Sequence, residues 1–222
     1  MTSRWQNEKR KVVQAALWMA ERGFLPGTSG NVSVRLEPDG SRELLAVTPS
    51  GLRNADLKPE DVVVVDFEAE PVEGGLTPSS ETLLHLAIYR ARPDVGAVVH
   101  THSVFASVAS VAGLQIPPII DEMVVAIGGT VQVSEYAFPS TQELADNVCA
   151  ALGERNAALI RNHGAVGVGR DLAEALDVCA LTERVAQVFV QASLLGKVSE
   201  LPPDVVEAET SIFRMRRQSK AP

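Results

Sequence analysis

The sequence predicts a single α/β domain, and three observations carry that prediction. Its 222 residues suffice for one large domain with a substantial apolar core. Short strand-like apolar runs alternate with helix-spaced ones along the whole chain. No internal repeat, low-complexity tract or interdomain linker divides it. A composition of 45% hydrophobic and 22% charged residues, with mean hydropathy +0.08, is that of an ordinary soluble globule. It excludes collagen-like, disordered and disulfide-rich classes.

Taken in order, residues 5–22 place Val12, Val13, Ala16, Leu17 and Ala20 at helical spacing, with Gly23 as the stop. Three strand-like runs follow, Val32–Leu36, Leu44–Val47 and Val62–Phe67. The turn segments Pro38-Asp39-Gly40 and Pro49-Ser50-Gly51 separate them as in an antiparallel sheet. Thr77-Pro78 opens a helix that Pro93 stops near Ala91, because threonine caps and proline suits the first helical position. Ala97–His100 reads as a strand, Ser103 to Ala112 as a helix, and Val124–Gly129 with Thr130–Val133 as strand or loop. Thr141–Leu152 is helical, and Ala158–Ile160 and Ala165–Val168 are strands of a glycine-rich hairpin. Asp171–Leu195 is a long amphipathic helix closed by Gly196. The domain is expected over residues 1–200. Residues 201–222 are expected to form a polar, mobile tail with a basic end at Arg214, Arg216, Arg217 and Lys220.

Twenty basic against 28 acidic residues give a net charge of −8 and a pI near 5.1. With 5% aromatics, such a chain is unsuited to nucleic acid or to an anionic membrane surface. The polar N-terminus carries no apolar leader, and the uncharged stretch from Ser103 to Ile120 is broken by Pro117-Pro118. No membrane partner is expected. Cys149 and Cys179 show no C-x-x-C spacing and read as reduced packing residues of a cytoplasmic protein.

The chemistry concentrates on four histidines, His85, His100, His102 and His163. His100 and His102 end an apolar strand, where residues two apart share a face and both imidazoles can meet one metal ion. His163 follows another apolar strand; if the strand ends are neighbours, three nitrogens surround a zinc-like ion with one position open. The alternative is three histidines bonded to backbone, since H-x-H alone is a weak signal. Glu81, in the expected first turn of its helix, is either a complement to the helix dipole or a general acid/base over the metal. His85 lies one turn further on the same face, as a partner behind the site or a satisfied core residue. Three turns offer hydroxyls and backbone N–H groups to an anion: Gly27-Thr28-Ser29-Gly30-Asn31, Thr48-Pro49-Ser50-Gly51 and Ser79-Ser80. No Walker motif, dinucleotide fingerprint, nucleophile elbow or H-E-x-x-H occurs.

In their order and spacing, five segments resemble the class II aldolase/adducin family over roughly residues 8–195. They are Gly27-Thr28-Ser29-Gly30-Asn31-Val32-Ser33, Thr48-Pro49-Ser50-Gly51, Pro78-Ser79-Ser80-Glu81, His100-Thr101-His102 and Arg161-Asn162-His163-Gly164. Within the family the pattern is most similar to ketose-1-phosphate aldolases of the fuculose type. The resemblance implies a three-layer α/β/α domain around a mostly antiparallel sheet, assembled as a homotetramer. It implies one divalent ion on His100, His102 and His163, zinc first, with Mn²⁺, Co²⁺ or Fe²⁺ as alternatives. It also implies Glu81 as acid/base and Gly30, Asn31, Ser50, Gly51, Ser79 and Ser80 as phosphate-binding positions. The implied reaction is reversible cleavage of a phosphorylated sugar, a ketose 1-phosphate, to dihydroxyacetone phosphate and an aldehyde. The implied sugar is fuculose-, deoxyribulose- or methylthioribulose-phosphate-like. The chain departs from the fuculose pattern where that family has a proton-donating tyrosine. Glu122 stands there, and the only tyrosines are Tyr89 and Tyr136. Glu122 or Asp121 then takes the donor role, or the two are a solvated acidic pair in a loop. The same scaffold also carries epimerases, decarboxylases, dehydratases and adducin's non-catalytic binding module, which remain alternatives.

Overall fold

The computed structural model describes residues 4–218. Helix α1 (Gln6–Glu21) leads into strands β1 (Asn31–Asp39), β2 (Arg42–Val47), β3 (Val63–Asp66) and β4 (Pro71–Glu73). Helix α2 (Thr82–Ala91), strand β5 (Ala97–Thr101) and helices α3 (Val104–Ala112) and α4 (Asp121–Ile127) follow. Strand β6 (Gln132–Val133), helix α5 (Gln142–Leu152) and the hairpin β7 (Ala157–Ile160)–β8 (Gly164–Gly169) come next. Helices α6 (Leu172–Leu194) and α7 (Pro203–Gln218) end the described chain.

The strands form one eight-stranded sheet in the order β4-β3-β2-β1-β5-β8-β7-β6, antiparallel except for the β6–β7 pair. Alternation along the strands sends side chains to both faces, and both are covered. Val47, Val63, Val65, Val98 and Val166 pack against Leu84, Leu86 and Ile88 of α2 and Leu144 and Val148 of α5. On the other face Val32, Ala46, Val64 and Val99 pack against Val12, Ala16 and Met19 of α1 and Ala175 and Cys179 of α6. The result is the expected α/β/α sandwich. Each fully buried Val or Leu contributes roughly 1.5–3 kcal/mol against the unfolded chain.

Four expectations need correction. Strand β4 is absent from the sequence reading because three residues are too few to show a period. Helix α2 begins at Thr82, not at Pro78. Pro78 is held extended by a bridge to Pro49, and the chain turns only at the Thr82 N–H to Ser79 carbonyl bond, 3.0 Å. The segment read as strand or loop from Val124 is helix α4, its Met123, Val124 and Ile127 buried and Gly128 stopping it at φ 100°. So short an apolar run does not distinguish helix from strand. The expected polar tail is helix α7, in which Phe213 is buried. Gly128 makes that docking possible, because a Cβ there would lie 2.7 Å from the Phe213 ring. Arg217 fixes the helix end through the Glu154 carbonyl, 2.7 Å, and Asp94, 3.2 Å. Of the expected basic end, Lys220 lies outside the described residues. Among the described residues no helix is long and apolar enough to cross a membrane.

Candidate active site

The strand order puts four separate segments at one end of the sheet. Antiparallel pairing aligns Asn31 at the start of β1 with His100 near the end of β5. It aligns Ser33 with Val47 at the end of β2, and Thr101 with Ala165 at the start of β8. The β7–β8 turn therefore lies beside the end of β5, which the sequence required for its histidines to converge. Asn162, at φ 57°, turns the chain there, and the His163 N–H closes it on the Ile160 carbonyl at 3.0 Å. Asparagine tolerates this left-handed conformation better than most residues.

The ring centroids of His100, His102 and His163 are 4.7, 4.8 and 4.9 Å apart pairwise. One ligand atom from each lies within 4.8 Å of the others. His100 Nδ1–H donates to the Ala165 carbonyl at 2.9 Å, which leaves Nε2 as the nitrogen facing the cluster. His102 Nε2 lies 2.9 Å from it. Just beyond His102, α3 is held by Glu183 of α6, whose carboxylate accepts from the Phe105 and Ala106 N–H groups at 2.9 Å each.

Glu81 stands at the N-cap of α2, not in its first turn, and its side chain makes no bond to the helix end. It turns into the cluster instead. Oε2 is 3.1 Å from His100 Nε2 and accepts from Asn31 Nδ2 at 3.0 Å. Oε1 is 3.5 Å from His163 Nε2 and is buried without a hydrogen-bond partner. Burial alone pushes this carboxyl group's pKa up. The charge and hydrogen bond of His100, the charge of His163 and the Asn31 amide outweigh burial and hold it well below the usual carboxylate range. Burial likewise pushes His100 down, but the Glu81 carboxylate and the Ala165 carbonyl raise it above its ordinary value. Burial and the charges of His100 and His163 push His102 down to about 3. The site thus sets one buried carboxylate among three imidazoles. Three converging nitrogens, one oriented by a carbonyl on its far side, fit zinc and its first-row neighbours.

The expected phosphate turns lie next to this cluster. The Ser50 N–H bonds the Thr77 carbonyl at 2.9 Å and the Ser79 N–H bonds the Thr48 carbonyl at 3.0 Å, tying the Ser50–Gly51 turn to Ser79–Ser80. Ser79 Oγ accepts from the Glu81 N–H at 3.3 Å. Ser50, Gly51 and Ser80 are exposed. Gly30 is fixed by its surroundings: at φ 70°, a Cβ would sit 2.7 Å from the His100 carbonyl oxygen. Asn31 is buried, and its amide is committed to Glu81 and His85. Glu122 is not brought to the histidines. It lies in the first turn of α4, not in a loop, and pairs with Arg184 at 2.6 Å, both side chains more than half exposed. Asp121 beside it faces Glu209 of α7, whose carboxyl group burial and this neighbour push up. Sequence reasoning missed the inward turn of the Asn31 amide, and with it Ser33 and Tyr89 behind His85. The signal was the shared helix face of Glu81, His85 and Tyr89, four residues apart.

Fold and site together define a member of the class II aldolase and adducin family, to which this chain belongs. The family model described as "Class II Aldolase and Adducin N-terminal domain" matches residues 10–190. The chain is 37% identical to a 5-methylthioribulose-1-phosphate/5-deoxyribulose-1-phosphate aldolase of Rhodospirillum rubrum, covering 91% of this chain and 89% of that protein. It is 34% identical to a 5-deoxy-D-ribulose 1-phosphate aldolase of Bacillus thuringiensis, over 91% and 93%. A solved L-fuculose 1-phosphate aldolase superposes with a TM-score of 0.88 at 32% identity, covering 96% of this chain and 98% of that one.

Proposed function

We propose that this chain is a metal-dependent aldolase that reversibly cleaves a 5-deoxy or 5-methylthio pentulose 1-phosphate to dihydroxyacetone phosphate and a short aldehyde. The single observation that carries the reading is the buried cluster of three imidazoles and one carboxylate beside hydroxyl-bearing turns. The choice of sugar is supported by the two relatives named for such substrates, and by Glu122 standing where fuculose cleavage is expected to use a tyrosine.

His100, His102 and His163 would hold the ion, zinc by the chemistry of the donor set. When bound, the ion supplies Lewis acidity at the carbonyl oxygen of the ketose. Glu81 gives a proton to the carbon released by cleavage and removes it in the condensation direction. In the condensation direction its carboxylate form takes the proton from dihydroxyacetone phosphate, and in cleavage its protonated form, reached by proton uptake from solvent, gives one back. Ser79 and Ser50 hydroxyls, with backbone N–H groups at Gly30, Asn31, Gly51 and Ser80, bind the phosphate and set the distance from phosphate to reacting carbon. Glu122 and Asp121 lie outside the histidine cluster of their own chain, so a donor role for either at the aldehyde oxygen requires the site of a neighbouring subunit. Self-association, as a homotetramer by the family resemblance, is supported by the outer face of α3, where Val104, Val108 and Val111 are 45–64% exposed at helical spacing. Two free cysteines, one buried and one half-buried, fit a cytoplasmic protein.

The test offers zinc-loaded protein dihydroxyacetone phosphate with acetaldehyde, methylthioacetaldehyde or lactaldehyde, and identifies the sugars formed. Condensation with the first two in preference to lactaldehyde is expected. Preference for lactaldehyde would overturn the choice of sugar, and no condensation with any aldehyde would overturn the reaction.

A further inference from the structure

Behind Glu81, away from the substrate side, a file of buried polar side chains runs between β1 and α2. Asn31 Oδ1 meets His85 Nε2 at 2.5 Å, His85 Nδ1 meets Ser33 Oγ at 2.6 Å, and Ser33 Oγ meets Tyr89 Oη at 2.8 Å. Asn31 is 4% exposed, Tyr89 1%, and His85 and Ser33 not at all. Apolar replacements of similar size fill such a place without the cost of desolvating four polar groups.

The protons in this file run in one direction. Asn31 donates its NH₂ to Glu81 Oε2 and turns its carbonyl oxygen, which can only accept, to His85. His85 must then carry its proton on Nε2. With Nε2 donating to Asn31, and with burial pushing its pKa down to about 3, the ring is neutral and Nδ1 accepts. The Ser33 hydroxyl therefore donates to Nδ1, and its oxygen accepts from Tyr89. Reversing the Asn31–His85 bond breaks the chain, because Asn31 would then present its carbonyl to a carboxylate.

We propose that His85, backed by Ser33 and Tyr89, is a positioning residue that locks the Asn31 amide against Glu81 Oε2 and so leaves Oε1 as the oxygen that exchanges the substrate proton. Oε2 is held as a permanent acceptor. Oε1 is the buried oxygen without a partner, on the side of His163. The proposal rests on Glu81 being the acid/base of the proposed aldolase. The orientation of the file, however, is measurable without any substrate.

Two measurements test it. Neutron diffraction from deuterated, zinc-loaded protein should place a deuteron on His85 Nε2, none on Nδ1, and the Asn31 ND₂ toward Glu81. A deuteron on Nδ1, or the reverse amide orientation, overturns the proposal even if the protein proves to have another activity. In cleavage assays His85→Leu should lower kcat roughly 10–100-fold with KM and zinc per chain unchanged. His85→Gln, whose amide can still donate to Asn31, should restore most of the loss. Should His85→Leu fail to fold, Ser33→Ala removes only the hydroxyl that sets the tautomer and should lower kcat severalfold. Wild-type kcat in the soluble variants, or a fall in kcat matched by a fall in bound zinc, overturns the positioning role. A wild-type protein without aldolase activity would instead sink the proposed reaction and leave the neutron result to decide the file.

Discussion

At the scale of single residues, the site is built from groups whose usual states are opposed by their surroundings. Glu81 is buried yet kept ionised, and His85 is an imidazole kept neutral. The latter has a consequence for acid stability. Between about pH 6.5 and about pH 3 the unfolded chain holds a proton on His85 that the folded chain does not. Stability contributed by the neutral ring is therefore complete above about pH 6.5 and is lost as pH falls toward 3, at up to about 1.4 kcal/mol per pH unit for one group. Urea titrations of metal-free protein across that range should show the decline, and in a folded His85→Leu variant the decline should be shallower. An equal slope would contradict the buried, neutral assignment. His102→Ala should lose the divalent ion while the chain stays folded, since the core on both sheet faces owes nothing to the metal. Elemental analysis with full occupancy in that variant would contradict the three-histidine site. The histidine convergence was legible in the sequence as a condition, that two strand ends be neighbours, and the β5–β8–β7 order meets it. The role of the Asn31 amide was not legible, because it depends on which way a buried side chain turns.

At the scale of elements, periodicity located the long helices and central strands to within a few residues, and it failed where the apolar run was short or the partner distant. Helix α1, expected over 5–22, spans Gln6–Glu21, and α6, expected over Asp171–Leu195, spans Leu172–Leu194. Each has enough turns for its buried face to declare itself. Helix α4 has seven residues, and its apolar positions fit a strand as well. In α7 Phe213 is the one buried residue, and its pocket is made by Gly128, 85 positions away, which no local pattern reveals. Phe213→Ala should cost about 3 kcal/mol if α7 is part of the packed domain, the lower end for a buried aromatic. A thermal or urea midpoint unchanged by that substitution would restore the mobile tail. Proline at 78 misled the reading of α2 because the same residue that suits a helix start also suits an extended bridge. The shift puts Glu81 at the helix boundary, where its side chain leaves the helix end uncapped and faces the histidines.

At the scale of the whole molecule, the antiparallel sheet order turns five motifs scattered over residues 27–164 into one site at one end of the sheet. The motif order carried more information than any motif alone, and the family match over residues 10–190 agrees with it. The central claim is that this end of the sheet moves a proton with Glu81 beside a bound ion. It is tested most directly by exchange of label from dihydroxyacetone phosphate into water, with no aldehyde present. Zinc-loaded wild-type protein should release the label, while Glu81→Gln with its zinc intact should release it roughly 10²–10⁴-fold more slowly, because glutamine keeps the shape but cannot carry the proton. Wild-type exchange by a fully metal-loaded Glu81→Gln protein would contradict the account and move the base elsewhere.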